Sequence, residues 1–499
     1  MATRSVTLRE NSGKNASGDL DFRDWIEKVR SFGLLKEVSH ADWDLEIGVI
    51  TELNAKKDKY TLLFDEIKGY QKGFRLLTGA LLDARRVASA VGFPEDVTNL
   101  ELAKLFKDKI AETNLHAGDY APEYVTNPRF LENVQKGDEV NLKIFPAPKW
   151  HEHDGGQYVG TADFMITRDP KTEAVHLGVY RQMVHNEKEL GSHLDTGHNA
   201  RLDMQKYHEM GEPCPVAISL GHHPFMFAIA GMEVPFGISK YSYAGAILGR
   251  PYKVWKGPIT GLPIPADSEI VLEGYITSEK RKEGPFGEFM GYYAGGVFDN
   301  PVIKIEAVYY RNNPIILGTA PGRPPYDYSY YRCPMRAAVI WDIIEKAGIK
   351  NISGVWCHEE GYSRAFTVIA LKQAYAGHAR QAGFVACQSR PGVFGGRYVV
   401  VVDDDIDPSN LSDVTWAMCS RSDPESGIEV IKQSWGTPLD PLIERSPGMA
   451  IEECASARAI IFACKPFSRM LHGTFPRVVE SSPEIRQKYI EKWKGKLWR

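Results

Sequence analysis

Two acids and one arginine form the pattern in this chain best suited to chemistry. Glu283 and Glu288 bracket Gly284-Pro285-Phe286-Gly287, just beyond a strand-like run at 269–277. In a regular strand, residues five apart face opposite sides, and on a helix they stand about 140° apart. The Gly-Pro and Phe-Gly pairs call instead for a turn, which can bring both carboxylates to one side. Acids sharing a cleft acquire separated proton affinities, suiting one to charge pairing and the other to proton transfer. A counter-charge stands at Arg181, inside His176-Leu177-Gly178-Val179-Tyr180-Arg181-Gln182-Met183-Val184-His185. An arginine within an apolar strand needs a carboxylate partner to be buried. Glu283 and Glu288 are the partners this reading gives it, although a purely structural ion pair fits the pattern equally well.

Three other clusters have residue types that could do chemistry. His193, Asp195 and His198, with His222 and His223 further on, invite a metal, but no second closely spaced ligand pair supports it. His151-Glu152-His153-Asp154-Gly155-Gly156 contains an H-x-H, yet Asp-Gly-Gly reads as a turn. Asp403, Asp404, Asp405 and Asp407 follow a run of valines. Four acids suit a hard cation, but at the end of a strand they more often cap helices and shape loops. The chain has no phosphate-binding G-x4-G-K-[ST], no dinucleotide G-x-G-x-x-G after a strand, no G-x-S-x-G and no H-E-x-x-H.

The elements that must position these residues fall into three regions. At 499 residues the chain exceeds one ordinary core. Residues 1–18 are polar and read as a flexible tail rather than a signal peptide. Residues 19–130 read as an α/β domain, with helices over 22–33, from an N-cap at Asp44, over 84–91 and over 100–111, and strands over 60–64 and 74–77. Residues 131–325 are strand-rich, with a hairpin of arms 157–167 and 174–184, a helical insert near 198–212, and strands over 215–220, 269–277, 302–310 and 315–319. This fits a barrel-like sheet. Residues 326–499 return to α/β, with a helix from Pro334 and a largely parallel sheet. A terminal helix over 482–493 carries Ile485, Tyr489 and Trp493 on one stripe, for docking on the body or on another subunit.

Composition excludes several classes. The net charge of −4, with 43% hydrophobic and 25% charged residues, gives no case for nucleic acid or an anionic membrane surface. No apolar run approaches the roughly 18 residues of a membrane span. Seven scattered cysteines, never in C-x-x-C spacing, indicate buried thiols in a reducing compartment, and the expected location is cytoplasmic.

Taken together, these residues resemble the UbiD family of reversible decarboxylases that use prenylated FMN. The resemblance rests on Asp44-Leu45-Glu46-Ile47-Gly48, Arg181-Gln182-Met183-Val184-His185, residues 267–274, residues 283–288, and Val400-Val401-Val402-Asp403-Asp404-Asp405-Ile406-Asp407. It implies an α/β fold of three parts: an N-terminal α/β domain, a central split β-barrel binding the flavin, and a C-terminal α/β oligomerisation domain. It also implies reversible non-oxidative decarboxylation of an aromatic or α,β-unsaturated acid through a covalent adduct with prenylated FMN. Arg181, Glu283 and Glu288 would be catalytic, Glu288 carrying the proton, Glu283 holding Arg181, and Arg181 orienting the carboxylate and the flavin edge. The cofactor would be bound by His176, Gly178, Val179, Tyr180, Arg181, Gly197, His198, Met232, Lys240 and Arg397. Leu194, Phe289, Tyr330 and Arg332 would face the substrate, the last two in a Tyr-rich segment over 323–332.

The family holds its cofactor phosphate through a divalent metal, manganese or iron, with potassium nearby. Here His198 keeps one ligand position, His176 replaces an Asn, and Lys240 replaces a Glu. The expected partners are an aromatic carboxylic acid, carbon dioxide and a flavin prenyltransferase as cofactor supplier, with a homodimer or homohexamer as the assembly. A subunit of a multi-subunit aromatic carboxylase would fit the altered phosphate site; a non-catalytic scaffold that keeps the fold is the other alternative, and the retained Arg181, Glu283 and Glu288 argue against it.

Overall fold

A computed structural model of the chain describes residues 20–194, 198–232, 234, 237–444 and 453–497. The expected tail at 1–18 and Gly197 lie outside the described residues. Phe22, Trp25, Ile26 and Val29 recur at helical spacing and are all buried on the helix Phe22–Ser31, whose cap Asp21 accepts from the Arg23 N–H. The next helix is Glu46–Lys57, and Asp44 does not cap it. Leu45 occupies the cap position at φ 70° with no side-chain bond, and Glu46 reaches back to the Asp42 N–H at 2.7 Å.

A four-stranded sheet runs in the order Leu35–Ser39, Thr61–Asp65, Arg75–Thr78 and Ile315–Leu317. The last strand, read with the strand-rich middle, belongs to this sheet instead. The turn at Arg311–Pro314 carries the chain across, and the Arg75 N–H bonds the Pro314 carbonyl at 2.9 Å where the parallel pairing begins. A buried ion cluster fastens this region to the middle sheet. Glu269 accepts from Arg23 at 2.9 and 2.7 Å and from Arg311 at 2.8 Å.

The middle sheet follows the path Tyr158–Gly160, Gln182–Val184, Glu189–Ser192, Phe298–Tyr310, Ile270–Glu283, Cys214–Leu220, Phe164–Arg168 and Val175–Gly178. Asn133–Lys136 pairs with Phe298–Tyr310 as well. One end of this path, Val175–Gly178, is joined through residues 179–181 to Gln182–Val184, the strand next to its other end. Three residues span at most about 10 Å, so the sheet must curl to bring its ends together. The hairpin expected around Arg168-Asp169-Pro170-Lys171 forms. Its second arm is interrupted, and Arg181 sits at the break rather than inside a strand.

The C-terminal sheet is ordered Ile352–Cys357, Phe366–Leu371, Tyr398–Asp403, Ala455–Ala463, Ile428–Trp435. Only its inner three strands are parallel; both edge strands run antiparallel. The long helix Asp327–Lys346 starts seven residues before Pro334, taking in tyrosines that read as a loop. No helix among the described residues is long and apolar enough to cross a membrane.

Candidate active site

Glu283 ends the strand Ile270–Glu283, and the chain then turns through Gly284 at φ 88°. A Cβ there would stand 2.5 Å from the Gly296 carbonyl oxygen, so glycine is required by both conformation and space. The turn carries Glu288 round to the same guanidinium that Glu283 holds. Arg181 donates Nε to Glu283 Oε1 at 2.8 Å and one terminal nitrogen to Glu283 Oε2 at 3.0 Å. Its other terminal nitrogen donates to Glu288 Oε1 at 2.5 Å.

The two acids are not equivalent. Glu283 is fully buried and also accepts from Tyr158 Oη at 3.0 Å and Asn300 Nδ2 at 2.9 Å. Four donors fix it in place, and such charge-assisted bonds are the strong ones. Glu288 keeps 13% of its side-chain exposure, holds Arg181 through one oxygen, and faces a cavity of about 740 Å³. Burial pulls the Arg181 pKa down, but Glu288 and Glu283 outweigh it and hold the guanidinium above its ordinary value. Burial raises the Tyr158 phenol, and the Glu283 charge raises it further. The Phe286 ring lies 5.2 Å from the guanidinium and closes the back of the cluster.

Behind the turn stands the His151–Gly156 segment, which forms the turn expected of it and carries Asp154. Asp154 is buried and accepts from the Gly287 N–H at 3.2 Å and the His151 N–H at 2.9 Å. The Gly155 N–H donates to the Pro285 carbonyl at 2.8 Å. A Cβ on Gly155 would come within 1.9 Å of the Gly284 oxygen, so the two turns are moulded to each other.

At another part of the cavity wall, His176, His198 and Lys240 come together with Gly178, Val179 and Tyr180. His176 Nε2 meets Tyr180 Oη at 2.9 Å, and the Tyr180 and His198 rings lie 5.6 Å apart. Burial, then the Lys240 and His198 charges, pulls His176 down to about 3. The Lys240 ammonium bonds the Ala230 carbonyl. Other histidines of the sequence cluster do not join this group. His193 bonds Asn300, His222 stacks on Phe164, and His223 accepts from the Phe225 N–H. Among the described residues no three His, Cys, Asp or Glu side chains converge as a metal site. The aspartates after Tyr398–Asp403 are engaged by cations, since Arg421 binds Asp403 and Asp405 and Lys465 binds Asp405. The cap of the following helix is Asn410.

On the C-terminal side, Phe289 and Arg332 line the cavity, as does Met232 on the loop opposite. Three expected site residues lie outside it. Tyr330 points away and donates to Asn99 at 2.6 Å, Leu194 is buried with its carbonyl held by Arg201, and Arg397 pairs with Asp440 at 2.5 Å. Tyr328, Arg364, Phe394 and Trp435 line the cavity without having been singled out. Tyr328 had a signal, since residues four apart share a helix face with Arg332 while Tyr330 cannot.

Family models cover most of the chain. The N-terminal domain of 3-octaprenyl-4-hydroxybenzoate carboxy-lyase matches residues 26–106, its Rift-related domain 123–324, and its C-terminal domain 329–463. The chain therefore belongs to the UbiD family. It is 30% identical over 490 residues to a phenolic acid decarboxylase of Streptomyces sp. (strain D7), covering 96% of this chain and 98% of the relative. It is also 30% identical to a pyrrole-2-carboxylic acid decarboxylase of Pseudomonas aeruginosa, covering 85% and 88%. The UbiD-class enzyme HmfF of Pelotomaculum thermopropionicum, solved in complex with FMN, superposes with a TM-score of 0.81 at 24% identity, over 93% of this chain and 98% of that one.

Proposed function

We propose that this chain catalyses reversible, non-oxidative decarboxylation of an aromatic or α,β-unsaturated carboxylic acid, with prenylated FMN in the 740 Å³ cavity. The observation that carries the reading is the asymmetric cluster of a fully buried, four-donor Glu283 and a cavity-facing Glu288 on one Arg181. The residues present fit a flavin. Val179, Met232, Phe286 and Phe289 give the cavity an apolar lining for a ring system, and Lys240 stands beside His176 for a phosphate. When bound, prenylated flavin supplies an electrophilic ring that bonds the substrate and takes up the electron pair left by carbon dioxide.

The protein's part is positioning and proton transfer. Arg181, held rigid by Glu283, orients the leaving carboxylate. Glu288 returns a proton to the carbon that loses carbon dioxide, and removes one in the reverse direction. Phe289 and Phe286 give the ring an apolar bed and exclude water from the exchange.

The usual metal set is not matched, because an ammonium at Lys240 stands where the family places an acid. We assign the cofactor phosphate to Lys240 directly, in place of manganese or iron with potassium. Stoichiometric manganese or iron beside His198 in the loaded protein would sink that assignment. The altered phosphate site also supports a second reading, a subunit of a multi-subunit carboxylase. Co-production with a flavin prenyltransferase decides between them. Bound flavin, seen in the absorbance spectrum, with carbon dioxide released from an aromatic acid by the single chain supports the first reading. Flavin-free protein, with no deuterium exchange into any product, overturns it. A homodimer or homohexamer is the assembly we propose.

A further inference from the structure

We propose that the substrate carries a second carboxylate, received by Arg332 on the C-terminal wall of the cavity. The proposal rests on the decarboxylase reading and names its substrate class. Arg332 is 7% exposed and lies on the helix Asp327–Lys346. Its guanidinium stacks 3.6 Å from the Tyr328 ring, which fixes its plane. Gly231 makes room for it, since a Cβ at that position would stand 2.8 Å from an Arg332 terminal nitrogen.

Several other buried guanidiniums have acids, while Arg458 is met by the carbonyls of Cys387, Gly392, Val393 and Trp435. Arg181 has Glu283 and Glu288, Arg311 has Glu269 and Asp21, and Arg421 has Asp403 and Asp405. Arg332 forms no ion pair among the described residues, and its Nε has no hydrogen-bond partner there. Its polar surroundings are the phenols of Tyr326, Tyr328 and Tyr331. A buried cation without a counter-ion is costly, and a guanidinium's fork matches a carboxylate in two parallel bonds. An anion entering the cavity supplies what the described residues do not.

Position separates that anion from the reacting carboxylate, and the flavin content of an Arg332 variant separates it from the cofactor phosphate. The first belongs at Arg181 and Glu288, and the second at Lys240. Arg332 abuts Gly231, next to the Ala230 carbonyl that Lys240 holds, and its helix is tied to the Glu288 turn because Tyr326, at the helix start, donates to the Phe289 carbonyl at 2.8 Å. Phe289 in turn packs on Tyr328 with ring centres 6.1 Å apart. Arg364, over Phe289 at 5.4 Å, adds positive charge to the same wall. An aromatic ring bedded on Phe289 with one carboxylate at Arg181 thus presents its far edge to a cationic surface. An aromatic dicarboxylic acid satisfies both ends.

The test is calorimetric titration of the flavin-loaded protein with a ring monocarboxylate and the matching dicarboxylate, repeated on Arg332→Met. Methionine keeps the apolar contact with Tyr328 and removes the charge. The expected result is a diacid at least tenfold tighter than the monoacid, with that advantage lost in the variant and flavin content unchanged. Equal affinities in the native protein, or an advantage that survives Arg332→Met, overturns the proposal. So does a variant that loses flavin instead, which would give Arg332 to the cofactor. Arg364→Met serves as the second variant on the same wall and is expected to weaken the diacid preference. If the diacid preference holds but no carbon dioxide is released from any acid, the decarboxylase reading fails while the anion site stands.

Discussion

A proton carrier must be able to move, and the site gives mobility to only one of its two acids. Glu283 spends both oxygens on Arg181, Tyr158 and Asn300, whereas Glu288 has one bond to Arg181 and a face on the cavity. Glu288→Gln keeps a hydrogen-bonding oxygen for Arg181 but removes the ionisable carboxyl proton. Its kcat is expected to fall about 10²–10⁴-fold with flavin binding retained, measured by carbon dioxide release and absorbance. Asp154 acts one step back, through the Gly287 N–H it accepts. Asp154→Ala leaves the buried Gly287 N–H and the half-buried His151 N–H unmet, a cost of up to about 1–3 kcal/mol each. It is expected to lower Tm and to reduce kcat about tenfold by loosening the Glu288 turn. Asp154→Asn keeps one acceptor and should recover part of kcat at the same KM, a split that a purely global loss of stability would not produce.

At the scale of elements, the strength of the periodic signal decided what could be read in advance. The helix Phe22–Ser31 and the strand Tyr398–Asp403 were legible because apolar spacing alone defines them. The acid turn was legible because Gly-Pro and Phe-Gly leave few alternatives. The start of Asp327–Lys346 was not, because Pro334 imitates a helix start and tyrosines carry little helix preference, and without that helix the sequence does not show that Tyr328, rather than Tyr330, shares a face with Arg332. Nor could spacing show that Ile315–Leu317 pairs into the first sheet, since strand partners are set by long-range contacts.

The terminal helix Pro483–Trp493 matches its expected stripe, yet buries no residue, with Ile485 50% and Tyr489 46% exposed. An apolar stripe that its own chain does not cover fits contact with a second copy. Deleting residues 480–499 is expected to lower the mass seen by light scattering toward that of one 55.9 kDa chain. An unchanged mass would place the assembly contact elsewhere.

For the whole molecule, the buried titrating groups set how stability varies with pH, and they do not all pull the same way. Burial depresses His222 and His223, so these rings stay neutral when folded and take up protons when unfolded. Stability from them rises as pH climbs to the unfolded histidine value near 6.5 and is flat beyond it. Burial raises Asp267 and Asp327 to about 6, so they hold protons in the folded chain that the unfolded chain has lost. Their effect is the reverse, a loss of stability from the unfolded value of about 4 up to 6. The two sets oppose one another across that window. Asp163 differs because burial carries it up to about 8, with Gln182 Nε2 donating to it at 3.1 Å and no cation paired with it among the described residues. Between pH 6.5 and 8 its term continues after the others have levelled off. Folded Asp163 keeps its proton there, unfolded Asp163 does not, and stability falls with rising pH by at most about 1.4 kcal/mol per unit. Asp163→Asn preserves the shape and removes the titration. Its Tm is therefore expected to match the native protein near pH 4 and to exceed it increasingly toward pH 8, read by thermal unfolding at a series of pH values. Parallel curves for the two proteins would show that Asp163 is ionised in its buried site beside Gln182.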